Sequence, residues 1–273
     1  MTDRDLSIEY LDQDHILAGL SSLAQRLLAQ LDLYLEIDST NQVLLERLAA
    51  GSIHGHVCLA EFQTAGRGRR GSHWITPFGA GICMSLGWRF EMPPRSLIAL
   101  SLAVGVGIMR VLGALGISGA GLKWPNDVLW NGRKLGGILV ETKGGRGGRD
   151  DAVIGIGLNV AFPKRQVDAI DQPWIDMVTI LGRRVSRNAL AADLINELFG
   201  ILKACEQEGL ARFIEAWRRY DLLRGTQVAV SLPNGDTIGG ESQGIDREGA
   251  LLVYADGHIE RYCSGEIHLR RTT

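Results

Sequence analysis

The sequence predicts an α+β fold in two parts, in which strands and helices are followed by a segment of strands alone. Apolar runs rich in Val, Ile, Leu and Gly have the length and composition of buried strands, whereas longer stretches have the apolar pattern of helices. The predicted strands are Val57–Phe62, Gly81–Phe90 and Ala152–Val160, and the predicted helices are 96–115, 187–208 and 210–219. Another predicted helix lies within residues 1–35, where leucines recur at helical spacing.

The character of the chain changes at Arg224. Beyond it the helical periodicity ends, and about five short alternating strands are separated by turn sequences. These turns are Pro233–Asp236, Asp246–Gly249 and Ala255–Gly257. We therefore expect a larger domain at 1–223 and a small β-barrel at 224–273.

The composition excludes several classes of protein. The 273-residue chain has a formal net charge of −2, so no overall basic field indicates nucleic-acid binding. Its four cysteines are far apart and form no C-x-x-C pair, which favours reduced thiols over a zinc or redox site. The apolar stretch Leu97–Met109 is shorter than the ~20 residues of a membrane span. The charged N-terminus is unlike a signal peptide. We expect a cytoplasmic protein that binds neither membranes nor nucleic acid.

A glycine- and arginine-rich loop follows the first predicted strand. Its glycines, Gly66, Gly68 and Gly71, form a G-x-G-x-x-G pattern. A dinucleotide-binding motif must open a helix, and residues 72–79 have no helical pattern, so that interpretation is disfavoured. Guanidinium groups bind carboxylates and phosphates, and glycines allow the backbone to approach a ligand. The loop therefore predicts an anion site that includes Arg67, Arg69 and Arg70; a solvated basic loop or a nucleic-acid contact is the alternative.

A second cluster of polar residues lies at the end of a short strand. Lys123-Trp124-Pro125-Asn126-Asp127 places a cation, an amide and a carboxylate together, and an Asn131-Gly132 turn predicts a hairpin over Val128–Val140. This hairpin returns Lys134 toward the same region, and Gly136 and Gly137 leave room for a ligand. The two lysines could stabilise charge on a polyphosphate, and Asp127 could hold Mg²⁺. A purely structural hairpin with surface lysines is the alternative.

Two weaker signals complete the set. Gly155-Ile156-Gly157-Leu158-Asn159 ends a buried strand with two glycines and an amide, which indicates close approach to the backbone. Asn159 could bond a sugar hydroxyl or a phosphate, or cap a turn. Ser39-Thr40-Asn41 precedes an apolar run, so Ser39 or Thr40 could cap a helix that ends at Gly51.

Taken in order, these segments resemble the bacterial biotin protein ligase family, also called biotin–[acetyl-CoA-carboxylase] ligase. The resemblance covers roughly residues 36–270 and includes C-terminal elements at Gly244–Asp246, Gly249–Leu251 and Gly265–Ile267. Five ordered motifs are more specific than any one of them. They are Glu36–Asn41, Gly66–Gly71, Lys123–Asp127, Arg133–Leu139 and Gly155–Asn159.

The resemblance implies a mixed β-sheet backed by helices, like that of class II synthetases, followed by an SH3-like barrel. It also implies a reaction in which the biotin carboxylate attacks the α-phosphate of ATP, giving biotinyl-5′-AMP and pyrophosphate. A lysine of a biotin carboxyl carrier protein then takes the biotinyl group. ATP and biotin are thus the expected substrates, with Mg²⁺ as cofactor.

The resemblance assigns roles to individual residues. The catalytic residues would be Lys134 and Arg69. The biotin site would contain Ser39, Thr40, Asn41, Gln63, Arg67, Gly68, Arg69, Lys134 and Gly137. The ATP site would contain Arg67, Arg69, Arg70, Lys123, Asn126, Asp127, Asn159, Trp174 and Arg270, with Asp127 holding Mg²⁺. Trp174 would stack on adenine.

One difference from part of the family concerns the N-terminus. Members that repress transcription carry a DNA-binding domain before the Ser-Thr-Asn motif, whereas here 38 residues, which are not basic, precede Ser39. We therefore expect an enzyme without repressor activity. A lipoate–protein ligase, a DNA-binding biotin sensor and a nicotinamide-dependent dehydrogenase are the competing hypotheses. Exposed strands are compatible with a homodimer but do not require one.

Overall fold

The computed structural model describes residues 8–91, 97–144, 150–163, 170–209, 211–232, 235–263 and 268–271. The larger part is built on a mixed seven-stranded sheet. Its strands are β1 (Gln30–Ile37), β2 (His56–Gln63), β3 (Gly81–Phe90), β4 (Ala120–Lys123), β5 (Asp127–Trp130), β6 (Arg133–Gly144) and β7 (Asp150–Asn159). They lie in the order β1-β2-β3-β7-β6-β5-β4, with β1 and β2 parallel and the other pairs antiparallel. The predicted fold class is thereby confirmed.

Helices cover both faces of this sheet. They are α1 (Gln13–Ala18), α2 (Ser22–Leu27), α3 (Thr40–Ala50), α4 (Leu97–Ala114), α5 (Met177–Leu181), α6 (Arg187–Glu208) and α7 (Ala211–Arg218). Because side chains alternate across a strand, β2 directs Val57 and Leu59 into the main core with α4 and α6. The intervening Cys58 instead packs with Leu44 of α3. Helix α3 therefore covers the face opposite α4 and α6.

A second, five-stranded antiparallel sheet forms the C-terminal part. Its strands are β8 (Gln227–Ser231), β9 (Thr237–Ile245), β10 (Leu251–Ala255), β11 (His258–Tyr262) and β12 (His268–Arg271), in the order β11-β10-β9-β8-β12. Asp256 and Gly257 form the β10–β11 turn with φ of 49° and 85°. The predicted turn residues 233–234 and the motif residues Gly265–Ile267 lie outside the described residues. The 223/224 boundary itself stays a prediction.

The N-terminal region differs from the expectation. Helix α2 forms where the leucine spacing predicts a helix, but the sequence analysis missed α1 and β1. The alternation in β1 is weak, with Leu31 buried and Leu35 64% exposed, because β1 lies at the edge of the sheet. The predicted helix ending at Gly51 is confirmed as α3, and Ser39 is its N-cap. The Ser39 side chain makes no capping hydrogen bond, and the Thr40 hydroxyl instead contacts Gln63 and Ser85.

The predicted Asn131-Gly132 hairpin is confirmed. Asn131 and Gly132 both have positive φ, 46° and 74°, as a two-residue turn of the type that matches strand twist requires. The turn joins β5 to β6 and pairs Asp127 with Gly137 and Leu129 with Lys134. The side chain of Lys134 thereby returns to the end of β5 where Asp127 lies.

Candidate active site

An open cleft of about 940 Å³ lies on the α3 side of the sheet. Neighbouring residues of β6 and β7 form its floor. The strand register pairs Gly137 with Gly157 and Leu139 with Gly155, and these pairs share one face of the sheet. A side chain at Gly155 would clash with Asn41, and one at Gly157 would clash with the indole of Trp74. These two glycines of β7 therefore leave space for other side chains of the cleft, as their motif predicts. Gly136, in contrast, makes room for Leu158 of the core and not for a ligand.

Hydrogen bonds connect the first turn of α3 to the strands beneath it. The side chain of Gln63 accepts from the backbone N of Thr40 at 2.8 Å and lies 3.2 Å from its hydroxyl. Ser85, fully buried on β3, places its hydroxyl 2.7 Å from that of Thr40 and 2.5 Å from Asn41 Oδ1. The Asn41 amide donates to Glu141 Oε2 at 2.9 Å. The Ser-Thr-Asn segment is thus held by β2, β3 and β6 together.

The glycine–arginine loop folds back on itself as a tight turn. Gly68 N donates to Ser72 O at 2.7 Å, Trp74 N donates to Gly66 O at 2.9 Å, and the chain forms only a 3₁₀ turn at Arg69–Gly71. Side chains at Gly66 or Gly68 would clash with Trp74 O and Ser72 respectively, which explains two of the glycines. Since no α-helix follows, the dinucleotide-binding alternative is excluded.

The arginines of the loop face different sides of the cleft. Arg67 Nη2 lies 2.8 Å from Glu141 Oε1, and Nη1 lies 3.3 Å from Gln42 Oε1. Arg69 Nη1 lies 3.3 Å from Asn126 Oδ1. Burial and the neighbouring Arg70 lower the pKa of the Arg69 guanidinium, because each disfavours its charged form. The loop therefore spans the cleft from β6 to the Lys123–Asp127 segment.

Lys134 and Asp127 form an ion pair in the lining of the cleft. Lys134 Nζ lies 2.8 Å from Asp127 Oδ1, and the two side chains are 18% and 19% exposed. The same Nζ lies 5.6 Å from the centre of the Trp74 ring. A cation so largely removed from water interacts strongly with an anion placed beside it. This geometry supports the binding hypothesis over a structural hairpin with surface lysines.

The structure brings most of the predicted site residues together. Thirteen of them line the cleft: Ser39, Thr40, Asn41, Gln63, Arg67, Gly68, Arg69, Arg70, Lys123, Asn126, Asp127, Lys134 and Gly137. Asn159 and Trp174 line an adjoining cavity of about 50 Å³, which Lys134 and Trp74 also border. The Asn159 amide donates to the backbone O of Lys134 and of Ile175, so its NH₂ group links β6 to the segment that precedes α5. The Arg270 side chain lies outside the described residues.

The described residues contain no group of three His, Cys, Asp or Glu side chains arranged to hold a metal. Asp127 and Asp171 are the carboxylates among the described residues that line the cleft. In the part of the chain that the structure describes, no helix is long and apolar enough to cross a bilayer.

Sequence reasoning missed three residues that shape the site. Ser85 lies in the predicted strand Gly81–Phe90, Glu141 directly follows the predicted hairpin Val128–Val140, and Trp74 lies in the segment after the arginines. Strand alternation could have revealed two of them, because Glu141 shares a face with Leu139 and Gly137, and Ser85 pairs with Gly155.

Family models match both the part of the chain that forms the cleft and the C-terminal part. Residues 34–159 match the Biotin/lipoate A/B protein ligase family, and residues 225–270 match the Biotin protein ligase C terminal domain. The chain is 43% identical to the Bifunctional ligase/repressor BirA of Escherichia coli K12 over 253 residues, covering 90% of this chain and 78% of that protein. It is 34% identical to the Biotin--[acetyl-CoA-carboxylase] ligase of Mycobacterium tuberculosis H37Rv, covering 99% of this chain and all of that protein.

Among solved structures, the chain is similar to the biotin protein ligase of Aquifex aeolicus in complex with biotin and ATP. The TM-score is 0.76 and the sequence identity is 27%, over 89% of this chain and 100% of that one.

Proposed function

This chain belongs to the biotin protein ligase family and is an ATP-dependent ligase that attaches biotin to protein, and we propose that both half-reactions occur in the cleft between the arginine loop and the Lys123–Asp127 segment. The observation that carries this proposal is the convergence of Arg69, Lys134 and Asn126 on one cleft together with the Ser-Thr-Asn segment. A cation-rich end next to a neutral polar end suits a ligand with an anionic tail and an uncharged head.

The neutral end of the cleft would bind the ureido ring of biotin. Ser39 and Thr40 begin α3, and Gln63 lies beside them at the end of β2. Their hydroxyl, amide and backbone groups offer both donors and acceptors, as a ureido group requires. Asn41 contributes by position, because its amide is already bonded to Ser85 and Glu141.

The cationic end would carry out the first half-reaction. A biotin carboxylate oxygen attacks the α-phosphorus of ATP, the bond to the β-phosphate oxygen breaks, and pyrophosphate leaves. Both reactants are anions, so the site must offset their repulsion and stabilise the charge that builds up on the phosphoryl oxygens. Lys134 and Arg69 are placed to do this, and we assign the catalytic role to them. Lys123, Arg70 and Asn126 belong to the ATP side.

A Mg²⁺ ion fits this arrangement. Magnesium keeps several water and phosphate ligands and takes one or two protein carboxylates, and Asp127 supplies one at the cleft. When bound, the ion would neutralise phosphate charge. Trp174 and Asn159, beside Lys134 in the adjoining cavity, would then lie toward the nucleoside.

In the second half-reaction, the ε-amine of an acceptor lysine attacks the acyl carbon of biotinyl-AMP. An amide forms, the acyl–phosphate bond breaks, and the amine proton and AMP leave. The acceptor that we propose is a biotin carboxyl carrier protein of a biotin-dependent carboxylase. The name of the Mycobacterium tuberculosis relative, Biotin--[acetyl-CoA-carboxylase] ligase, supports this proposal.

Mass spectrometry of a carrier domain tests this function. Incubation with the protein, biotin and MgATP should add one biotinyl group to one lysine, and the carrier with that lysine changed to Arg should stay unmodified. A parallel reaction with lipoate discriminates the rival ligase. Modification by lipoate in preference to biotin, or no ATP-dependent modification, would overturn the proposal.

A further inference from the structure

A carboxylate lies beside the cleft where anionic substrates are expected, in contact with two residues that line it. Glu141, on β6, directs Oε1 at Arg67 Nη2 (2.8 Å) and Oε2 at Asn41 Nδ2 (2.9 Å), and its side chain is 22% exposed. A negative charge here opposes the binding of a carboxylate or a phosphate. Its placement therefore calls for a role that outweighs this repulsion.

The contacts of Arg67 indicate what that role is. Both terminal nitrogens of its guanidinium face protein acceptors, Glu141 on β6 and Gln42 on α3. The Arg67 side chain thus ties the glycine–arginine loop to the floor and to the helix of the cleft. Arg69 ties the same loop to Asn126 on the opposite side. The loop is held across the cleft by one arginine at each side.

The ion pair is a weak source of folding stability. Arg67 is 41% exposed, and ion pairs of this exposure contribute little because solvent screens them. The internal hydrogen bonds of the loop, from Gly68 to Ser72 and from Trp74 to Gly66, do not involve Glu141. Loss of Glu141 should therefore leave the loop folded but less firmly attached to β6.

We propose that Glu141 is a positioning residue that acts through Arg67, and that this pair sets how long the acyl-adenylate stays bound. This inference rests on the proposed function. Glu141 holds the Arg67 side chain in the wall of the cleft, so that the loop backbone stays over the ligand. Through Asn41 it also fixes the first turn of α3, where we place the biotin ring. One carboxylate thereby aligns the two ends of the biotin site.

The test measures release of biotinyl-AMP formed on the enzyme from biotin and MgATP with pyrophosphatase present. Glu141→Ala and Arg67→Ala should each accelerate release about fivefold, the upper range for one partly exposed ion pair. The double variant should release it no faster than the faster single variant. At saturating biotin and MgATP, the rate of adenylate formation in a single turnover should change less in Glu141→Ala than the rate of release does, because Glu141 touches no reacting atom.

Glu197→Ala is a matched control. Glu197, on α6, pairs with Arg110 at 2.7 Å, and the two side chains are 29% and 44% exposed, similar to Glu141 and Arg67. Neither residue lines the cleft. It should leave release unchanged. Release from Glu141→Ala within twofold of wild type, or additive effects in the double variant, would overturn the inference. Failure of the wild-type protein to form biotinyl-AMP would instead overturn the proposed function, so the two failures are distinguishable.

Discussion

The indole Nε1 of Trp124 donates a hydrogen bond to the backbone O of Gly249 at 2.9 Å, and this bond joins the two sheets of the molecule. Trp124 is 1% exposed and lies next to Lys123 in the cleft-lining segment. Gly249 lies in the turn between β9 and β10, has φ of 85°, and would clash with Leu102 if it carried a side chain. The C-terminal sheet therefore supports the segment that presents Lys123, Asn126 and Asp127.

Trp124→Phe should weaken the ATP-dependent step more than biotin binding. The substitution keeps an aromatic ring but removes the N–H donor. The buried carbonyl of Gly249 thereby loses this hydrogen bond, which costs ~1–3 kcal/mol of folding stability. We expect the melting temperature to fall by about 2–6 °C, and the apparent KM for ATP in pyrophosphate exchange to rise severalfold.

Trp130→Phe provides the control for that experiment. Trp130 Nε1 donates to the backbone O of Ser118 at 2.8 Å, but the bond lies at the sheet edge and is exposed. It should change the KM for ATP by less than twofold. Equal effects of the two substitutions would show that the Trp124 bond has no special link to the nucleotide side.

Lys134→Ala should slow adenylate formation more than it weakens biotin binding. The lysine lies where negative charge grows on the phosphoryl oxygens, and loss of one such contact typically lowers the rate ~10²–10³-fold. Its removal also leaves Asp127 without the partner that lies 2.8 Å away. Pyrophosphate exchange measures the first effect and titration calorimetry with biotin the second.

Arg133→Ala serves as the comparison for Lys134→Ala. Arg133 is the adjacent cation on β6, and its guanidinium lies 5.2 Å from the centre of the Trp130 ring. Exchange by this variant should stay within a few-fold of wild type. A normal exchange rate in Lys134→Ala would remove the catalytic role that we assign to it.

One thiol of the native protein should react quickly. Burial raises the pKa of the Cys58 and Cys205 thiols to about 12 and also raises that of Cys83, so little reactive thiolate forms at these positions. Cys263 is exposed. Titration with a chromogenic disulfide at pH 8 should therefore detect one fast thiol, and four in denaturant. Loss of the fast reaction in Cys263→Ser would confirm its origin, whereas several fast thiols would contradict the buried placement.

The sequence could predict the site residues better than their contacts. Gly66–Gly71 and Lys123–Asp127 carry chemistry in residue types that are unusual in combination, so they indicate a ligand site before any fold is known. Strand alternation places Glu141 on the face of Gly137 and Leu139, but its residue type gives no such signal, because a glutamate near the end of an apolar strand is ordinarily solvated. Only the tertiary packing of α3 and the arginine loop against β6 brings it to Arg67 and Asn41.

The same limit applies to the N-terminal segment. Nothing in its local pattern predicts β1, since an edge strand alternates weakly, nor does it predict that Glu9 and Leu11 contact residues from α6 and β2. These contacts are between residues 50 or more positions apart. Periodicity reports which face of an element is buried, but not which distant element covers it.

Breaking the buried ion pair between Arg187 and Glu61 should cost more stability than breaking any other ion pair among the described residues. Both side chains are 3% exposed, and Arg187 also donates to the backbone O of Gly81 and of Glu9. It thus connects α6, β2, β3 and the N-terminal segment. Arg187→Met would leave Glu61 as an unpaired buried carboxylate, which typically costs ~3–5 kcal/mol. Chemical denaturation followed by circular dichroism measures this loss.

A double substitution separates the charge effect from the lost packing. In Arg187→Met/Glu61→Leu the unpaired carboxylate is gone, so we expect the double variant to be more stable than Arg187→Met alone, although the bonds to Gly81 and Glu9 remain lost. Glu197→Gln, which neutralises one side of the partly exposed pair with Arg110, should cost at most ~1 kcal/mol. If Arg187→Met were no more damaging than Glu197→Gln, the buried pair would not be a main support of the fold. In that case the N-terminal segment would be held chiefly by apolar packing against α6.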